Sequence, residues 1–304
     1  MLDKEGIPSD WITRYGEFLR KGDIENMIVL KEEYFPRAFF KYRELSAQTL
    51  TCLRENWLYM SEPGRLNDIF ECSLTIDNNK VLADFLTNKA YGRTGPKFSD
   101  IECAAILEST EPYNVFKEIM KGRGIELPET SEIQAKRVND MWNKDFADRI
   151  KYFRICSFST TNASLLMWAH YSKDYRGVCI EYDFLDESES RAWIHPVYYS
   201  NSRPSIHSYG ELLETFPQIY ASVCKSKHWE YEQEWRYIAF LESQVSGKEN
   251  HFKVPLARAI YLGPMFELND EKLKSDLLAL AQAKGIPVYR MSIDEFEYRL
   301  TAQC

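Results

Sequence analysis

The run Tyr152-Phe153-Arg154-Ile155-Cys156-Ser157-Phe158-Ser159, the segment Leu165 to Tyr171, and the run Gly177-Val178-Cys179-Ile180-Glu181-Tyr182-Asp183 together decide the fold class. The first and third are rich in aromatic and β-branched residues over strand-like lengths, and the middle one reads as a helix. Downstream, Pro196 to Tyr199, Trp235 to Leu241 and Arg258 to Leu262 read as further strands, Ser208 to Val223 as a helix, and Asp270 to Lys284 as a helix ending at Gly285. Two more strand-like runs close the chain.

Upstream, Ala38 to Arg43 reads as a strand, Ser46 caps a helix through Leu53, and Trp57 to Ser61 is a strand before the Pro63-Gly64 turn. Ser9 is the expected N-cap of a first helix carrying Trp11, Ile12, Tyr15, Phe18 and Leu19 at helical spacing; a second reaches Tyr34, where Pro36 stops it. These two make residues 1–35 an N-terminal helical segment. From Val81 to about Ile150 helical pattern dominates, with loops around Gly92 to Pro96 and Gly122 to Pro128, so residues 81–150 read as a helical insertion. Helices and strands do not alternate regularly. The expectation is therefore an α+β fold, with a mixed, largely antiparallel central sheet, flanking helices and the insertion, in one domain over residues 1–304.

With 44% hydrophobic and 14% aromatic residues in 304, the chain can bury a core without a partner. A net charge of -8 makes duplex DNA an unfavourable ligand, since nonspecific affinity comes from clustered Lys and Arg. The seven cysteines are odd in number, scattered and without a C-x-x-C pair, which favours reduced thiols in a cytoplasmic protein over a zinc ribbon or disulfide framework. Met1 to Ser9 lacks the basic start and apolar stretch of a signal peptide, and no run approaches membrane-spanning length, so no membrane role is expected.

Three polar strings could carry chemistry. In Trp229-Glu230-Tyr231-Glu232-Gln233-Glu234-Trp235-Arg236, an extended backbone places Glu232, Glu234 and Arg236 on one face; the structural alternative is a solvated strand end where Arg236 balances both acids. Ser157 and Ser159 share a strand face, and Thr161 or Asn162 can cap the next helix, whose His170 is a structural hydrogen-bonding group or a ligand contact. Lys41-Tyr42-Arg43 ends a strand with a guanidinium fork suited to phosphate or carboxylate, and Asn67-Asp68 begins a turn. Asp68, Glu71 and His170 could hold a metal, but no ligand spacing supports it and none is expected.

Read in order, these strings resemble a bacterial family, domain of unknown function 2971. The likeness spans roughly residues 36 to 290: Lys41 to Arg43, Asn67-Asp68 to Glu71, Cys156 to Ser159, Met167 to Tyr171 leading to Gly177 through Tyr182, Trp229 to Arg236, and Ile260 to Gly263. Ile69 stands where the family has proline, which leaves that turn open. The resemblance implies an intracellular bacterial protein, with a phage-defence or stress role, and no reaction.

A more distant likeness is to ADP-ribosyltransferases of the Arg, Ser-x-Ser, Glu-x-Glu kind, through Arg43, Ser157-Phe158-Ser159 and Glu232-Gln233-Glu234. It implies NAD as substrate, Arg43 on its phosphates or ribose, the serine strand shaping the nicotinamide pocket, Glu234 as the catalytic carboxylate and Glu232 orienting an acceptor that the sequence does not name. Tyr42 and His170 complete the cofactor-binding candidates beside Arg43, Ser157 and Ser159. The rival is a noncatalytic module binding a nucleotide or other phosphorylated small molecule through Arg43. A hydrolase or nuclease using Asp68, His170 and Glu234 is a third reading.

Overall fold

A computed structural model of the chain describes residues 11–87, 97–128, 130–213, 216–241 and 250–303. The expected Ser9 cap and the Gly92 to Pro96 loop lie outside them. Two leading helices, α1 (Trp11–Lys21) and α2 (Ile24–Glu33), precede β1 (Phe39–Arg43), α3 (Ala47–Glu55) and β2 (Trp57–Tyr59). Ser46 caps α3 by accepting from the Thr49 amide. A helical stretch follows: α4 (Asn78–Thr87), α5 (Asp100–Leu107), α6 (Pro112–Gly122) and α7 (Thr130–Ile150), after a short β3 (Thr75–Ile76). Leu82, Ala83, Leu86 and Ile106 give it a small core of its own.

Then come β4 (Phe153–Ser159), α8 (Leu165–Tyr171), β5 (Val178–Tyr182), α9 (Ser188–Trp193), β6 (Ile194–Pro196), β7 (Tyr198–Ser200), β8 (Ser205–Ile206), α10 (Tyr209–Leu213), α11 (Phe216–Val223) and β9 (Cys224–Ser226). The chain ends with β10 (Glu234–Phe240), β11 (His251–Lys253), β12 (Ala259–Leu262), α12 (Glu271–Lys284), β13 (Val288–Ile293) and β14 (Leu300–Gln303). Asp270 and a left-handed Gly285 cap α12. Its crossover explains why β12 and β13 run parallel.

One eight-stranded sheet, in the order β14-β13-β12-β5-β1-β4-β10-β6, organises the structure; all its neighbours except β12 and β13 are antiparallel. This is the mixed, mostly antiparallel α+β architecture that irregular alternation predicts. Central β5 is buried at all five positions, as a strand covered on both faces must be. Val178, Ile180 and Tyr182 enter one core with Phe39, Phe158 and Trp235, while Cys179 enters another with Phe40, Tyr42 and Trp168.

The Ser208 to Val223 helix is described as α10 and α11, with residues 214–215 between them outside the described residues. Two local expectations are corrected. The Pro196 to Tyr199 strand divides between β6, which pairs with β10, and β7, which pairs with β9. The cap of α8 is Ser164, which accepts from Met167 N; Thr161 instead accepts from Ala163 N, and Asn162 offers its carbonyl to the Trp168 indole.

Candidate functional site

β1 and β4 are neighbours in the sheet, yet they pair at one position, Phe40 opposite Ser159. Further along, Ile155 of β4 pairs with Ser61 instead. Between those contacts the strand edges part, and a cleft of about 230 Å³ fills the fork. Consecutive residues, Phe40 to Arg43 from β1 and Ser157 to Ser159 from β4, line it, which marks it as a gap between strand edges rather than a pocket on one face. Lys41 Nζ spans the fork to the Ser157 carbonyl at 2.5 Å.

The far wall is a buried ionic cluster. The β4/β10 register sets Glu234 opposite Ser159 and Arg236 opposite Ser157, so these four share a face while Phe158 and Trp235 enter the core. Arg236 Nε donates to Glu234 Oε1 at 2.7 Å, Nη2 to Glu71 Oε1 at 2.6 Å, and Nη1 to the Ser222 carbonyl at 2.6 Å. Lys225, from β9, reaches Glu232 Oε2 at 2.6 Å, Glu71 Oε1 at 2.8 Å and Glu234 Oε2 at 3.0 Å. Glu232 Oε1 accepts from the Tyr171 hydroxyl at 2.6 Å, and that hydroxyl accepts from Asn67 Nδ2 at 2.6 Å. Three carboxylates thus share two cations, and Glu71 Oε2 is buried without a partner.

The two acids of the Glu-x-Glu string titrate in opposite directions. Burial raises Glu232, and the Glu234 charge beside it raises it further. Burial would raise Glu234 too, but Arg236 and Lys225 overcome it and hold that carboxyl far below its usual range. Burial likewise depresses Lys225, yet Glu234, Glu71 and Glu232 reverse the effect and keep its ammonium charged. Desolvation lowers Lys41, which donates to the Ser157 carbonyl, although the Cys156 side chain beside it works the other way.

Arg43, Tyr42, Ser157, Ser159, Glu232 and Glu234 all line the cleft, although they come from three stretches of sequence. Within it, Tyr42 is committed to the Thr161 carbonyl at 2.8 Å, and Ser159 accepts from Thr161 N, so both brace the wall. His170 is exposed on α8, with its ring 6.4 Å from that of Tyr231, and is not part of the lining. The expectation that Glu232 shares a strand face with Glu234 is corrected: Glu232 ends a 3-10 turn, and Gln233 turns left-handed at φ 45° before β10 begins. Nor is this a solvated strand end, since Glu232, Glu234 and Arg236 are 3%, 4% and 0% exposed and Arg236 balances Glu234 with Glu71.

Lys225, Tyr171 and Lys41 were missed as functional candidates; Lys41 and Tyr171 carried a signal, their places in the Lys41-Tyr42-Arg43 and Met167 to Tyr171 strings, and Lys225 none. Among the described residues no three His, Cys, Asp or Glu side chains are grouped to hold a metal ion. Glu71 is occupied by Lys225 and Arg236, and Asp68 accepts from Phe70 N in a turn that leaves Ile69 exposed. No described helix is long and apolar enough to cross a membrane.

The stretch from α8 to β10 holds Tyr171, Lys225, Glu232, Glu234 and Arg236, the acid side of the cleft. Residues 167–237 match a family model described as Protein of unknown function (DUF2971). The match supports the DUF2971 resemblance over the acid wall, while Arg43 and Ser157 lie outside it. No curated protein and no solved structure matches the chain, so the likeness to ADP-ribosyltransferases rests on its residues alone.

Proposed function

We propose that the fork between β1 and β4 binds a phosphorylated nucleotide, with Arg43 and Lys41 as its anion-binding side. The observation that carries this is Arg43: a permanently charged guanidinium lining the cleft with no ion-pair or side-chain hydrogen-bond partner among the described residues. A half-buried cation without a counterion is unfavourable until an anion joins it, and the planar fork of donors matches phosphate.

A catalytic reading is favoured by the opposed titration of Glu232 and Glu234 on the same wall, since acids pushed apart by their surroundings take distinct proton-transfer roles. NAD is the nucleotide on which both have work. As the C1′–N bond to nicotinamide breaks, its electron pair leaves with the ring; Glu234, held anionic, stabilises the oxocarbenium ribose. The acceptor's nucleophile bonds to C1′ and Glu232 takes its proton. The residues name no acceptor.

The test is a thermal-shift series with NAD, ADP-ribose, ATP and AMP, alongside nicotinamide release from NAD. A ligand at a hundred times its Kd adds about 2.7 kcal/mol of stability. Arg43→Gln should abolish the shift while altering the ligand-free stability by no more than about 0.5 kcal/mol. Glu232→Gln should slow nicotinamide release about 100-fold or more. A shift without release leaves a binding module; no shift with any of the four ends the proposal.

A further inference from the structure

The cleft does not end at Arg43. A second cavity, of about 170 Å³, opens beyond the same side chain, and Arg43 and Tyr59 line both spaces. Its character differs from the first. Ser46, Gln48 and Thr49, from the cap and first turn of α3, offer neutral hydrogen-bonding groups, over an apolar floor of Leu58, Ile180 and Cys52. Its one carboxylate, Glu44, is exposed and paired with Lys173, so besides Arg43 the cavity holds no uncompensated charge. The first cavity is ionic throughout its far wall, with Lys225 and three carboxylates.

Resting on the phospholigand reading, we infer that the two cavities form one site for a pyrophosphate-linked dinucleotide, its phosphates on Arg43 and a neutral base in the second cavity beside the Tyr59 ring. Neither space alone reaches the roughly 300 Å³ at which small-molecule sites begin, and together they pass it. Arg43 is the group they share, and its five donors in one plane can serve two adjacent phosphates. The neutral, apolar-floored cavity suits a heterocycle that hydrogen-bonds at its edges, whereas a second phosphate there would meet no further cation among its lining residues. The ionic cavity suits the hydroxyl-bearing sugar at the other end.

Cys52 reports on this directly, because it lines the second cavity and is half-buried, while Cys103 on α5 is equally half-buried and lies outside both spaces. Maleimide labelling of the whole chain at pH 8, read by mass spectrometry, is compared with and without ribose 5-phosphate, AMP, ADP-ribose and NAD, with affinities from calorimetry. AMP, ADP-ribose and NAD at saturation should slow Cys52 labelling at least ten-fold, ribose 5-phosphate should leave it unchanged, and Cys103 should react alike throughout. ADP-ribose and NAD should also bind at least ten-fold more tightly than ribose 5-phosphate. If all four bind equally and Cys52 labels at one rate, the inference is overturned while the phosphate site at Arg43 stands. If none binds, the phospholigand reading falls and takes this inference with it.

Discussion

Glu234 holds both flanking cations of its cluster, Arg236 through two oxygens and Lys225 through one, so any test of its chemistry is also a test of the fold. Glu234→Gln leaves those buried cations short of a counterion. Removing one partner of a buried pair costs about 3–5 kcal/mol, so urea unfolding should show a loss of that size. Arg43→Gln, which breaks no internal pair, should show almost none. The contrast also explains what was legible. Arg43, Ser157 and Glu234 stand at or near strand ends, where polar residues next to apolar runs catch the eye, and the cleft unites them. Lys225 is invisible to the same reading, because a buried lysine and a solvated one are written alike, and Glu71 was read as a metal candidate rather than as a partner of Lys225 and Arg236. Glu232 was misplaced for a different reason: nothing in Gln233 announces a left-handed backbone.

At the scale of elements, the connection from α8 to β5 is the strained one. Lys173, Asp174 and Tyr175 follow one another at φ 53°, 54° and 67°, a left-handed turn without glycine that costs about 1–2 kcal/mol per residue. Two glycines just outside the turn make room for it. A Cβ on Gly177 would lie 2.1 Å from the Arg43 carbonyl and 2.9 Å from Ser172, and one on Gly263 would lie 2.1 Å from the Tyr175 carbonyl. The turn is thereby pressed against the backbone of Arg43, which lines the cleft. Gly177→Ala should cost about 1–3 kcal/mol by denaturant titration and, by displacing the end of β1, weaken nucleotide binding as well. A variant that binds nucleotide as tightly as the parent would separate the turn from the site. The helix, strand and glycine of this region were all readable; the handedness of the turn was not, since it is imposed by what Gly177 and Gly263 allow to approach.

Across the whole molecule, stability should fall on the acid side of neutrality. His195 is 4% exposed, with Nδ1 2.5 Å from the Tyr15 hydroxyl, and burial, aided by the Lys31 charge, lowers its pKa to about 3. The unfolded chain takes up that proton near pH 6.5 and the folded one does not, so stability present above pH 6.5 drains away as pH falls towards 3. The slope is about 1.4 kcal/mol per pH unit. Glu234 adds a loss of the same sign below the ordinary carboxylate range. Glu232, whose pKa is raised, works the other way, its contribution present in acid and lost as pH rises through its folded value. Urea midpoints at pH 7, 6 and 5 should therefore decline for the parent and flatten for His195→Asn; parallel curves would assign the acid sensitivity elsewhere.

The single backbone rung between Phe40 and Ser159 divides the eight strands into two leaves, five on one side and three on the other, held together elsewhere by side chains such as Lys41. A guest lodged in the seam would touch both leaves at once, so occupancy and the mechanical coupling of the two halves become the same quantity. Amide exchange along the seam is where that coupling would be read.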